Sequence, residues 1–323
     1  MSQPPYLFRL GDRLARGLTD WDAGQRDRQR QFLLRWQTPD GGFSGRDLPD
    51  EAAPESSAER DSDLYYTAFA IRGLAALGQF TADDGQRIAV YLRQTAQRQA
   101  SVIDVTSWLY SALMVQTASG IDVLEQAPAD WPDQLSRVLE SFRTADGGYA
   151  KTHEGASGST YHTFLVALCY ELIGRQAPEP ARIVEFVHQR QRDDGGFVEI
   201  APMRRSGTNP TAAAVALLTM FDAVDDVIRE DVADFLTEVR SSEGGFQANT
   251  RVPFADSLST FTGYLTCLDL GLTDILDPAR IRKFVTELEM PGGGYRAAAW
   301  DQVADVEYTF YALGLQALIG TSE

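Results

Sequence analysis

The chain has 323 residues, is 44% apolar and carries a formal net charge of −17 with a pI near 4.6. That is enough apolar material for a large core, and the acidic balance excludes nucleic acid as the main partner. Two cysteines, Cys169 and Cys267, both within apolar stretches, exclude a disulfide scaffold. The first residues have no apolar signal-like run and nothing approaches the ~18 apolar residues of a membrane span, so the expectation is a cytoplasmic protein without a transmembrane segment.

In chain order, residues 1–21 read as an N-terminal segment, with Pro4 and Pro5 followed by charges from Arg9 onward, and residues 22–323 as a single domain. Gly-Gly-aromatic recurs at Gly41-Gly42-Phe43, Gly147-Gly148-Tyr149, Gly195-Gly196-Phe197, Gly244-Gly245-Phe246 and Gly293-Gly294-Tyr295. The second glycines are separated by 106, 48, 49 and 49 residues, so one copy in the long interval has lost its glycines, at Thr95–Ser101. A period of this length marks an array of similar units. The residues ahead of each turn, 22–37, 83–98, 133–143, 180–191, 226–240 and 278–289, are predicted amphipathic helices with one wet face. Those beyond it, 63–77, 104–116, 159–173, 208–221, 256–270 and 305–319, are apolar on most sides and are predicted to be buried helices. Neither end of the array has a polar capping repeat. The first amphipathic helix lacks a preceding partner and the last apolar one lacks a following partner, so closure is expected: an all-α, α6/α6 toroid with outer and inner helices. Residues near 48–61, rich in Pro, Glu, Ala and Ser, are expected to form a mobile surface insertion.

The segments from Gln37 to Arg46 and from Gln191 to Phe197 are similar to the repeat shared by protein prenyltransferase β subunits and squalene or oxidosqualene cyclases. The likeness is strongest to the β subunit of type II geranylgeranyltransferase, where a Gly-Gly-Phe-x-Gly-Arg turn leads into an inner helix opening Asp-x-x-Tyr-Ser/Thr. Here these are Gly41 to Arg46 and Asp63-Leu64-Tyr65-Tyr66-Thr67, and the resemblance extends over residues 22–319. It implies isoprenoid chemistry at the starts of the inner helices. The six starts align on Thr67, Trp108, Thr163, Thr211, Thr260 and Thr309, with Asp63, Asp104, Ser159, Gly207, Asp256 and Asp305 four residues earlier. On elementary grounds the aspartates are helix N-caps; the resemblance adds that such a carboxylate can also face the mouth of the ring.

In prenyltransferases the resemblance implies a zinc held by this aspartate, a cysteine two residues on and a histidine in the next unit. The cysteine position is occupied by Tyr65, Thr106, Tyr161, Asn209, Leu258 and Glu307, so the thiolate is missing from every unit and zinc is not an expected cofactor. Asp104 with His162 and His153 is the remaining metal candidate. Class II terpene cyclases carry Asp-x-Asp-Asp at the same place. The nearest match, Asp305-Val306-Glu307-Tyr308-Thr309, makes Glu307 the candidate general acid with Asp305 in support. The candidate catalytic residues are thus Asp305, Glu307, Asp63, Asp104 and His162. The resemblance implies that a diphosphate would be met by Arg46, which stands at the family's diphosphate arginine of the Gly-Gly-Phe-x-Gly-Arg turn but in a different unit of the ring, and by Arg204, Arg205 and Arg251 on later post-glycine loops. Tyr65, Tyr66, Trp108, Tyr161, Phe261 and Tyr308 are candidates to line an isoprenoid cavity. Three readings stay open: a prenyltransferase-like protein binding an isoprenoid diphosphate such as geranylgeranyl diphosphate, alone or with a helical-repeat partner subunit; a class II cyclase using Glu307; and a non-catalytic scaffold.

Overall fold

The computed structural model describes residues 4–45, 60–97 and 100–321. Arg46 and nearly all of the 48–61 insertion lie outside the described residues. The chain begins with α1 (Tyr6–Gly17), and the repeat pattern then appears as alternating helices. The amphipathic set is α2 (Ala23–Leu34), α4 (Ala82–Thr95), α6 (Trp131–Glu140), α8 (Pro180–His188), α10 (Asp226–Glu238) and α12 (Pro278–Glu287). The apolar set is α3 (Leu64–Ala76), α5 (Val102–Ser119), α7 (Thr160–Leu172), α9 (Thr208–Met220), α11 (Ser257–Asp269) and α13 (Val306–Gly320).

The turn between paired helices follows from its residues. In the first repeat the backbone runs through Gly41 at φ +95°, a conformation that favours glycine. Asp40 then accepts from the Gly42 amide and from the Ser62 and Thr38 hydroxyls, which locks the reversal. The aromatic that follows bridges two segments: Phe43 pairs with Gln37 on one side and Asp63 on the other, and Tyr149 and Phe197 do the same in their repeats. In the last repeat this becomes a two-stranded ladder, β1 (Tyr295–Arg296) with β2 (Ala304–Asp305). These bridges consume the final residues of the predicted amphipathic segments, so those helices end two or three residues earlier than their periodicity suggests.

The recurring threonine has a structural task. The amide of the aromatic donates to it at 2.9–3.0 Å in five repeats, Phe43 to Thr67, Tyr149 to Thr163, Phe197 to Thr211, Phe246 to Thr260 and Tyr295 to Thr309. In the glycine-less repeat Trp108 occupies the position, and its indole N–H donates to the Leu92 carbonyl at 2.8 Å, tying α5 to α4.

The chain divides into two compact units, residues 1–100, 104–128 and 285–323 in one, and 101–103 and 129–284 in the other. In the second unit α7, α9 and α11 pack in succession. The first unit joins the two ends of the repeat array. There α13 packs along α3, and α1 lies against both. The segment read from sequence as lying outside the repeats is thus partly helical and covers the last helix, with Gly17 and Gly320 allowing close backbone approach between α1 and α13. Consecutive repeats are linked by an amide at a helix start donating to a carbonyl two residues past the next aromatic: Val102 to Lys151, Thr160 to Glu199 and Thr208 to Ala248. Val306 of the last repeat donates to Gly45 of the first in the same way, at 3.3 Å. Gln29 of α2 accepts from the Gly294 amide and donates to Glu289, with Arg28 paired to Glu289 at 3.1 Å. The last repeat therefore meets the first through the contact that consecutive repeats use.

Candidate functional site

In the first unit the starts of α3 and α13 bring together the richest set of chemical groups. Asp63 caps α3, accepting from the Tyr65 and Tyr66 amides, and buried Asp305 caps α13, accepting from the Tyr308 amide at 2.8 Å. Capping fixes each first turn, so Tyr65 and Glu307 project from rigid positions. The Tyr65 hydroxyl donates to Glu307 Oε1 at 2.7 Å. One turn along each helix, on the same faces, stand Phe69 and Tyr311. Phe69 packs edge-on against Tyr65 at 4.8 Å and Tyr311 at 5.4 Å between centroids, and Tyr308 completes the cluster beside Tyr311. Tyr66 stacks at right angles to Tyr65 and covers Gly45, where any side chain would collide with its ring.

Glu307 is half-buried among these rings. Burial pushes its carboxyl above the ordinary glutamate range, while hydrogen bonds from Tyr65 and Tyr311 and the charge of Arg72 act in the opposite sense. The net effect is a carboxyl that holds its proton more tightly than an ordinary glutamate, with donors in place for the carboxylate. Arg72 itself is held in place on α3, its guanidinium 5.1 Å over Phe69 and 4.7 Å over Tyr110.

The other predicted residues are distributed differently. Asp104 is not the N-cap of its helix: α5 starts at Val102, and the Asp104 carboxylate reaches back to the Ala100 amide at 3.1 Å. Without glycines ahead of it this helix simply starts earlier. Trp108 and Phe261 are buried core residues, 8% and 4% exposed, so neither presents an open ring face. In the second unit Tyr161 packs edge-on against His162. Ser159 caps α7 and binds His162 Nδ1 at 2.6 Å, and its hydroxyl donates to Glu199. Burial and the nearby Lys151 push His162 down to about 4, and burial raises Glu199. His162 Nε2 is buried without a hydrogen-bond partner, and His153 is exposed. Among the described residues no three His, Cys, Asp or Glu side chains converge to hold an ion, so the residues do not fit a zinc centre. Arg205 is half-buried and donates to the Thr250 hydroxyl at 3.0 Å, which links its post-glycine loop to the one carrying Arg251; Arg204 and Arg251 are exposed.

Arg72 is not among the candidates read from the sequence. A lone arginine inside Leu64–Ala76, an otherwise apolar helix, was the available signal.

The repeat, the glycine-aromatic turn and the capped helix starts define an all-α toroid of paired helices. The sequence matches the prenyltransferase alpha-alpha toroid domain over residues 13–198 and again over 111–323, and the chain belongs to that family. Among solved structures it is similar to Candida albicans protein geranylgeranyltransferase-I complexed with GGPP, with 13% identity over 89% of each chain and a TM-score of 0.67. A variant of the type II terpene cyclase MstE from Scytonema, in complex with geranylgeranyl dihydroxybenzoate, is similar over 98% of this chain and 99% of its own, with 14% identity and a TM-score of 0.61. An alpha-1,6-mannanase of Salegentibacter matches over the same shares at 11% identity and a TM-score of 0.59. No curated protein sequence matches the chain. At these identities the neighbours share the fold, which serves several chemistries. No helix among the described residues is long and apolar enough to cross a membrane.

Proposed function

We propose that this protein binds an isoprenoid chain and starts its cyclisation by protonation, with Glu307 as the general acid. The observation that carries this reading is the half-buried Glu307, held by the Tyr65 hydroxyl within a cluster of aromatic rings. Protonating an alkene needs a neutral acid aimed at one carbon, and burial favours the neutral form. The proton passes from Glu307 to the alkene carbon. The π pair becomes the new C–H bond, the O–H pair stays on the carboxylate, and positive charge develops on the neighbouring carbon. Aromatic faces stabilise such a cation by roughly 0.5–2 kcal/mol each, and Tyr65 and Tyr308 stand at the start of the acid's helix pair. The isoprenoid ligands of two of the three neighbours, the geranylgeranyltransferase and the terpene cyclase, support this substrate class.

A second reading, binding of an isoprenoid diphosphate as in a prenyltransferase, is favoured by the Arg205–Thr250 link between two arginine-bearing loops. Incubation in D2O with geranylgeranyl diphosphate or geranylgeranyl dihydroxybenzoate separates the two. Cyclisation by Glu307 gives a cyclic isomer bearing one deuterium, and its formation is lost in Glu307→Gln. If wild-type protein yields no deuterated isomer but is thermally stabilised by the diphosphate, and Arg205→Glu with Arg251→Glu abolishes that shift, the second reading replaces the first.

A further inference from the structure

The same site contains a cation that neither the repeat pattern nor the family assignment calls for. Tyr65, Phe69 and Arg72 lie on one face of α3, at spacings of four and three residues, and Glu307 and Tyr311 lie four apart on one face of α13. The rings interlock: Phe69 sits between Tyr65 and Tyr311, with Phe310 at 5.5 Å, and the guanidinium of Arg72 covers Phe69 from beneath. On its other side Arg72 meets Tyr110 of α5, whose ring is backed by Phe8 of α1 at 6.3 Å. Arg72 Nε is buried and donates to no acceptor in this packing. A guanidinium half-buried against aromatic faces, with its Nε–H unbonded, is stabilised by a nearby negative charge. The acid joined to this ring cluster, through the Tyr65 hydroxyl, is Glu307.

We infer that Arg72 is a positioning residue for the Glu307 acid: wedged between Phe69 and Tyr110, it supplies the fixed positive charge that stabilises the Glu307 carboxylate after its proton has left. This rests on the reading of Glu307 as a proton donor. Arg72 keeps its own protons throughout. The proton released by Glu307 goes to the alkene, and the electron pair left on the carboxylate is held by Arg72 through space and by Tyr65 through its hydroxyl. The stacked geometry matters because a planar guanidinium pinned between two rings cannot swing away as the charge on Glu307 changes. Lysine at the same place keeps the charge but not the stacking, and glutamine keeps neither.

The test follows the Glu307 carboxyl itself. In protein labelled with carbon-13 at glutamate side chains, the infrared band of the protonated carboxyl is titrated for the wild type, Arg72→Lys and Arg72→Gln, with Glu307→Gln subtracted to isolate the signal. Arg72→Gln is expected to move the titration midpoint upward by about one pH unit or more, the usual consequence of removing an opposite charge at close range. Arg72→Lys is expected to move it by less. No movement in Arg72→Gln, or equal movement in both variants, overturns the inference. Cyclisation by the wild-type protein is scored separately with the deuterium assay, so a midpoint that responds to Arg72 in a protein that makes no cyclic product counts against the proposed reaction and not against the coupling.

Discussion

Replacing Glu307 by glutamine is expected to stabilise this protein at neutral pH while removing its proposed reaction. Glutamine preserves the volume of the side chain and an oxygen to accept from Tyr65, so the 2.7 Å bond and the ring packing survive. It removes the ionisation that burial opposes. The native state holds the Glu307 proton more tightly than the unfolded chain does, so this residue favours folding at acid pH and its contribution is lost as pH rises through the native value. The variant has no such loss, and its gain is about 0.5–2 kcal/mol, the range typical when a functional group held against its solvation is neutralised. Urea unfolding near pH 4 and near pH 8 reads the difference, because the unfolded glutamate titrates at about 4.3. The two proteins are expected to converge at the acid end and separate at the alkaline end, with the variant higher. A variant that is less stable near pH 8, or a gap of the same size at both pH values, would refute the reasoning.

Two further substitutions test the scaffold. Asp84 is fully buried and accepts from Arg30 at 2.8 and 3.1 Å, from Arg87 at 2.7 Å, and from the Thr81 hydroxyl and amide at 2.7 and 3.0 Å. Burial works against its charge and these donors outweigh it, so its carboxyl lies below the ordinary range. Asp84→Ala leaves Arg30 and Arg87 without this partner and breaks the capping box of α4, at an expected cost of about 3–5 kcal/mol in urea unfolding. For the turns, Gly195→Ala and Gly78→Ala both place alanine at positive φ, +82° and +65°. A Cβ at residue 195 also collides with the Asp231 carbonyl, whereas residue 78 has open space around it. Gly78→Ala is expected to cost about 1 kcal/mol and Gly195→Ala clearly more; equal thermal shifts would remove the close-approach explanation for the repeat glycines.

Much of the fold was legible in the chain. The glycine-aromatic period, the aspartate or serine opening four of the six apolar helices and the recurring threonine are local requirements, since a turn at positive φ, a cap and an amide acceptor each demand particular residue types at fixed offsets. The same locality explains what was misread. Asp104 was aligned as a cap because its spacing fits, but with no glycine turn ahead of it the helix begins two residues sooner. Residues 6–17 carry no repeat signature, so their packing on α13 was invisible until both helices were placed.

The sequence by itself determined the repeat, the family and the absence of a zinc-binding cysteine at any of the six equivalent positions, because each is a property of residue types at fixed spacing. Tertiary structure decided which of many carboxylates and aromatics meet. Only the packing of α13 along α3 puts Glu307 under the Tyr65 hydroxyl, 242 residues away in the chain, and stacks Arg72 between Phe69 and Tyr110. Proton affinity depends on burial and neighbouring charge, and both are set by contacts between distant segments that no local spacing encodes.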